Sequence, residues 1–225
     1  MNDVLIQQLI GIAVVVLWLA IVVVSALAVR HRWPQQREWS RKVVHIGTGP
    51  VVLLAWGLDI ARWVALPAAI AVTAATAINH RFRLLPAVED VGRHSYGTIA
   101  YGASIALLLA LFWPSRPLAV AAGVLVMAIG DGLAGLIGPQ LSSPRWRLFG
   151  QAKSLAGTLA MAVGAMAVLT CLHYTALSQG LGSPSLPNLL VIAAIATALE
   201  QLSAFGIDNL SVPLSAGLLW QHWSI

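Results

Sequence analysis

The 225-residue chain is 59% hydrophobic and only 9% charged, with a mean hydropathy of +0.83. Its apolar groups exceed what a soluble core could hold, so a polytopic membrane protein is expected. Thirteen Lys and Arg against eight Asp and Glu leave a formal charge of +5, but the basic residues fall in loops between apolar runs. That placement argues for topology signals and an anionic-ligand surface and against a nucleic-acid partner.

In chain order, residues 4–29 form the first apolar run. Ala26-Leu27-Ala28 mimics a signal-peptidase site, but no Lys or Arg precedes the run and it is too long for a signal core, so a retained transmembrane helix is expected. Residues 30–42 carry Arg30, Arg32, Arg37, Arg41 and Lys42 against the lone acid Glu38 and read as a cytoplasmic loop. Apolar spans over 43–57 and 60–79 follow, with Asp59 and Arg62 at the turn between them. Residues 80–97 form a second polar loop, with Arg81, Arg83 and Arg93 beside Glu89 and Asp90. The span 98–113 ends at the proline-bounded turn Pro114-Ser115-Arg116-Pro117.

The span 118–138 carries Asp131, a polar and basic loop runs to 151, and 153–177 is the next span, holding the single cysteine, Cys171, which excludes an intrachain disulfide. An uncharged loop rich in Gly, Ser and Pro over 178–187 precedes a span at 188–205. Gly206-Ile207-Asp208-Asn209 then interrupts the helix signal. The remaining run, 210–220, is too short to cross a bilayer at ~1.5 Å per residue, so a re-entrant segment or a bend continuous with its neighbour is predicted. Tryptophans such as Trp33, Trp39, Trp113, Trp146 and Trp220 flank many of these runs, as an interfacial belt would.

The expected fold is therefore all-α: one integral membrane domain over 1–225, with its N-terminal span within 1–30, about seven spans in a helical bundle and a short C-terminal membrane element. With the N-terminus outside, the inner loops collect Arg30, Arg32, Arg37, Arg41, Lys42, Arg81, Arg83, Arg93, Arg145, Arg147 and Lys153, and only Arg62 and Arg116 fall outside. The same layout brings Asp131, Lys153, Ser154, Glu200, Asp208, Arg41, Lys42 and His45 to one depth, the cytoplasmic end of the bundle.

The most unusual stretch runs from Asp131 to Ala160. Ionisable groups inside a bilayer cost at least ~2.5 kcal/mol and are functional candidates by default. At ~100° per residue Asp131, Gly135 and Gly138 share a helix face, setting a carboxylate beside a flat surface where a phosphate chain or its Mg²⁺ could lie. Lys153 and Gly157 share a face of the following helix, Ser154 and Thr158 the adjacent one. Lys153 is expected at a helix N-terminus, where free N–H groups attract anions. A buried salt bridge would also account for Asp131, and helix packing through small residues for the glycines. The ordered set favours a hairpin that binds a nucleotide at the membrane surface.

Three blocks between residues 38 and 213 now become recognisable. They are Arg41-Lys42-Val43-Val44-His45; Asp131-x-x-Ala134-x-x-x-Gly138 followed by Lys153-Ser154-x-x-Gly157; and Glu200 followed by Asp208-Asn209 and Pro213. In this order they resemble the CTP-dependent polyprenol kinase family, which includes dolichol kinase, phytol kinase and the yeast-type diacylglycerol kinase; the resemblance is nearest to the phytol kinase branch. One departure is Ser142, where the family often has another glycine.

The resemblance implies transfer of the γ-phosphoryl group of CTP to phytol or another long-chain isoprenoid alcohol drawn from the membrane lipid. It implies Asp131 and Asp208 as Mg²⁺ ligands and Lys153, with Arg145 or Arg147, neutralising phosphate oxygens. Glu200 is the implied base for the alcohol, with His45 the runner-up. Arg41, Lys42, Gly135, Gly138, Ser154, Gly157, Thr158 and Asn209 complete the nucleotide-binding set. Three alternatives stay open: a diacylglycerol kinase, a phosphatidate cytidylyltransferase attacking the α-phosphorus, and a small ion-coupled transporter, which inverted repeats would support. Neither the oligomeric state nor the particular membrane follows from the sequence.

Overall fold

A helix that is apolar on every side has no face reserved for water, and α1, Asn2–Arg32, is of this kind. In the computed structural model, which describes residues 2–82, 96–202 and 205–224, this helix is about 46 Å long at ~1.5 Å per residue. It is largely exposed, with Gln8, Gly11, Val22 and Ala26 turned to the rest of the chain. Gln8 is a buried polar residue whose amide is fully used: Nε2 donates to the Asp59 carbonyl at 3.0 Å and Oε1 accepts from the Ala61 N–H at 2.8 Å. It thereby fastens the turn at Asp59–Ala61.

The second helix, α2, covers Arg37–Thr48, and α3 covers Val51–Gly57. The basic stretch expected as a loop up to residue 42 is helical from Arg37, so Arg41, Lys42 and His45 ride on one short amphipathic helix. Its Gly47 lies so close to α1 that a Cβ would come within 2.7 Å of Val22. Next come α4, Arg62–Phe82, and α5, Gly97–Phe112. Arg83, Arg93, Glu89 and Asp90, expected in the intervening loop, lie outside the described residues.

The centre of the bundle is the Pro117–Gln140 rod. It comprises α6, Pro117–Leu125, a wide π-helical turn, Val126–Asp131, and α7, Gly132–Gln140. Of its most apolar stretch 67% is buried, against 11% for α1. Small residues let its neighbours approach at backbone distance: a Cβ on Gly123 would strike the Pro213 carbonyl, and one on Gly164 would lie 3.3 Å from Gly130 Cα.

The rod is followed by two short strands, β1, Arg145–Leu148, and β2, Gln151–Ser154, then by α8, Leu155–Ser178, and α9, Leu186–Gln201. The basic loop expected between the spans is thus an antiparallel hairpin with Leu148 opposite Gln151. Its two connecting residues, Phe149 and Gly150, have φ of 49° and 78°, the left-handed pair that a type I′ turn requires. Phe149 is a poor residue for that role, which is why the turn carried no sequence signal.

The C-terminal element is longer than the expected 210–220 and is not continuous with its neighbour. It is a separate helix, α10, Asp208–Trp223, whose Val212, Ala216 and Trp220 are buried against α6 and α9. Four helices, α1, α4, the central rod and α8, are long and apolar enough to cross a membrane, and α5 and α9 are shorter apolar helices of 16 residues each. The fold is an all-α bundle with one added hairpin. Contacts sort its turns into two ends. Gln8, Asp59, Ile60 and Trp113 meet at one, where Trp113 Nε1 donates to the Ile60 carbonyl at 2.8 Å. At the other end Tyr96 N–H donates to the Phe205 carbonyl at 3.0 Å, beside the polar residues described next.

Candidate active site

An open cleft of about 290 Å³ lies at that second end, near the lower limit of the ~300–1,000 Å³ typical of small-molecule sites. Six elements contribute to it: Glu38, Arg41 and Lys42 from α2; Asp131, Ala134, Gly135, Gly138 and Pro139 from the central rod; Arg145, Gln151, Ala152, Lys153 and Ser154 from the hairpin; Gly157 and Thr158 from α8; Glu200 and Gln201 from α9; and Asp208 and Asn209 from α10, with Gly206 in the preceding turn. Of the residues expected at a site, Arg147 lies outside this lining, and His45 is buried behind it against Asp131.

Lys42 and His45 are one turn apart on α2 and both reach Asp131. Lys42 Nζ donates to Asp131 Oδ2 at 2.6 Å and to the Asp131 backbone carbonyl at 3.0 Å. His45 Nε2 is 3.2 Å from the same Oδ2 and 3.3 Å from the Met127 carbonyl. Both neighbours are acceptors, so Nε2 carries the proton. The ring of Tyr101 packs 4.5 Å from the imidazole. The salt bridge weighed for Asp131 is therefore present, and both partners meet its Oδ2.

A second pair is built the same way. Lys153 Nζ donates to Glu200 Oε1 at 2.5 Å and to the Glu200 carbonyl at 2.7 Å. The other carboxylate oxygen accepts from Gln201 Nε2 at 2.7 Å, and the same Nε2 lies 3.0 Å from Thr158 Oγ1. Gln201 Oε1 is a buried acceptor without a donor among the described atoms. Gln201 was not legible as a site residue: a neutral amide at the end of an apolar helix is a weaker signal than the acid beside it.

Two expectations about the hairpin change. Lys153 is on β2, one residue before the Ser154 cap of α8, and so not on the helix that carries Gly157. The start of α8 is not an open anion site either: the N–H groups of Leu155, Ala156 and Gly157 donate to the Pro144 carbonyl at 2.9 Å, Ser143 Oγ at 3.2 Å and Ser154 Oγ at 3.2 Å. The glycines line the cleft but also have packing roles. A Cβ on Gly135 would overlap the Lys42 stem, and Gly138 and Gly157 bring α7 and α8 together, a Cβ on Gly138 lying 3.2 Å from Gly157 Cα.

Arg145 lines the cleft and donates to the Pro139 carbonyl at 3.1 Å. Asp208 opens α10, where the helix dipole favours an acid, and its Oδ1 accepts from Asn209 Nδ2 at 3.3 Å. Among the described residues no trio of His, Cys, Asp or Glu is placed to hold a metal. Mg²⁺ bound beside nucleotide phosphates needs only one or two carboxylates, and Asp131 and Asp208 on one cleft fit such a sparse set.

The chain is 40% identical over 215 residues to the phytol kinase of Synechocystis sp., covering 93% of this chain and 90% of that protein. It is 28% identical to the probable phytol kinase 2 of Oryza sativa, over 82% of this chain and 66% of the rice protein. With the phytol kinase 1 of Arabidopsis thaliana it shares 27% identity, over 80% of this chain and 64% of that protein. No protein-family model and no solved structure matches the chain.

Proposed function

The chain belongs to the phytol kinase family, and on that premise we propose that it is a membrane-embedded, CTP-dependent kinase of phytol or a related isoprenoid alcohol. The observation that carries this reading is the convergence, in one cleft, of two lysine–carboxylate pairs formed across 89 and 47 residues of sequence. Phosphoryl transfer asks for little covalent chemistry from a protein; it needs positioning and cations that meet phosphate oxygens. The cleft supplies Lys42, Lys153, Arg41 and Arg145 around four acids, Glu38, Asp131, Glu200 and Asp208.

The nucleotide's phosphates compete with Glu200 for Lys153. As Lys153 and Arg145 turn to the β- and γ-phosphates, Glu200 Oε1 becomes free to accept the alcohol proton, while Gln201 keeps hold of Oε2. The alcohol oxygen bonds to the γ-phosphorus, the bond from that phosphorus to the β–γ bridging oxygen breaks, CDP leaves and the proton remains on Glu200. Asp131 and Asp208 are the groups that would hold Mg²⁺, whose contribution would be to neutralise charge on the phosphates. Lys42 and His45 fix Asp131, and Arg41, Thr158 and Asn209 face the nucleotide. His45 is less suited to be the base, being buried with Nε2 directed at two acceptors.

The bundle is oriented with its N-terminus outside and the cleft at the cytoplasmic face, because Arg30, Arg32, Arg37, Arg41, Arg145, Arg147 and Lys153 all belong to that end. The test is a transfer assay on purified protein in lipid nanodiscs, with γ-labelled and α-labelled CTP offered separately to phytol, farnesol, a longer polyprenol, diacylglycerol and phosphatidate. Label entering phytol only from the γ position is the expected result. Entry into phosphatidate from the α position would identify a cytidylyltransferase instead, and γ-label entering diacylglycerol alone would reassign the acceptor.

A further inference from the structure

The rim of the cleft is chemically uneven. Towards α2 and the hairpin it is polar, with Glu38, Arg41, Arg145 and Gln151. On the α9–α10 side its lining includes Gly206, and the residues flanking that glycine are Phe205 and Ile207, 72% and 56% exposed. Phe205 has a φ of +53°, a conformation that strains a bulky residue and is free to glycine. A large apolar side chain is thus held outward, in a strained turn, between the polar pairs Glu200–Gln201 and Asp208–Asn209.

The turn is also anchored beside an apolar helix face. Gln201 Nε2 donates to Thr158 Oγ1 at 3.0 Å, joining the end of α9 to the first turn of α8. From there Leu155, Leu159 and Val163 follow at four-residue spacing, all exposed, which makes one stripe running along α8 away from the cleft. Exposed apolar side chains thus lie in the turn that flanks Gly206 and along the helix that carries Thr158.

We infer that Phe205 and Ile207 form the doorway through which the isoprenoid tail of the acceptor alcohol leaves the cleft, with the α8 stripe as its track. The inference rests on the kinase reading above and extends it to the residues that select the tail. The occupant is set by continuity: its polar end must reach Glu200, and its hydrocarbon must leave where the rim is apolar. The nucleotide then enters over the opposite, cationic rim, so the two substrates approach from different sides.

The test compares phytol with 3-methyl-2-buten-1-ol, an alcohol too short to pass the doorway, in competition for γ-labelled CTP in nanodiscs. In Phe205→Gly the ratio of kcat/KM for phytol to that for the short alcohol should fall about tenfold, the low end of what one apolar contact contributes to discrimination. Ile207→Ala should lower it in the same direction. Glycine relieves the backbone strain at this φ, so a purely structural Phe205 would give a protein at least as thermostable with an unchanged ratio, and that result overturns the doorway. Failure of the wild-type protein to phosphorylate either alcohol would instead overturn the kinase reading on which the doorway rests.

Discussion

Lys42 and Lys153 make the same contacts in different settings. Each places Nζ between the carboxylate and the backbone carbonyl of a single acid, Asp131 for one and Glu200 for the other. Lys42 is carried by a helix packed on the central rod, its stem fills the space above Gly135, and His45 meets the same carboxylate oxygen. Lys153 is carried by a two-stranded hairpin with Arg145, Trp146 and Arg147 exposed. A lone two-stranded ribbon is marginally stable, so its lysine can be displaced with little disturbance elsewhere. On the proposed mechanism one pair would hold the site in shape, and the other would open for a phosphate.

The largest effect should come from breaking the fixed pair. Asp131→Ala leaves Lys42, 3% exposed, without its counter-charge; removing one partner of a buried pair costs ~3–5 kcal/mol. Chemical denaturation in detergent should register that loss together with abolished turnover, and an unchanged midpoint would dissolve the distinction between the pairs. Lys153→Met should add an effect on nucleotide binding. Turnover falls by ~10²–10³, as when a charge-stabilising donor is removed, and KM for CTP rises. Glu200 is buried at 5% exposure, so losing its counter-charge should lower stability as well, by ~3–5 kcal/mol, and the contrast with Asp131 lies in the KM for CTP.

Gly135→Ala pushes a methyl group into the Lys42 stem, and overpacking of this kind costs ~1–3 kcal/mol. In a Lys42→Ala background that cost should disappear, a coupling that a double-mutant cycle measures directly; additive effects would mean that the glycine serves something other than Lys42. The smallest contrast is within β1. Arg145→Ala should raise the KM for CTP roughly fivefold, about 1 kcal/mol for an accessible charge, whereas Arg147→Ala, outside the cleft lining, should leave it unchanged.

What was legible in the chain was placement. Charges between apolar runs marked the ends of the spans, so Arg41, Asp131, Lys153, Glu200 and Asp208 could be assigned to one depth before any contact was known. Partner choice was hidden: nothing local couples Lys42 to Asp131 or Lys153 to Glu200 across such separations. Three features escaped for particular reasons. The hairpin turns at Phe149-Gly150, without the Asn or Asp that usually signals it. Gln201 is uncharged and ends an apolar helix. The serines that cap α8, Ser143 and Ser154, are separated by a hairpin, so their use on successive N–H groups is visible only in three dimensions.

The wide turn at Val126–Asp131 separates two tasks along one rod. Upstream, Gly123 settles against α10; downstream, Asp131 and Gly135 meet α2. A π-type turn accommodates one residue more than a regular helix would, so it sets the rotational phase between packing and chemistry. Deleting a single residue there would restore the ordinary pitch and leave everything beyond it close to its present phase, whereas a deletion in the regular helix upstream would turn the far part by about 100° and carry the carboxylate away from Lys42. Within this rod the place that can give up one residue without turning Asp131 from Lys42 is therefore the wide turn itself, in the middle of an apolar span.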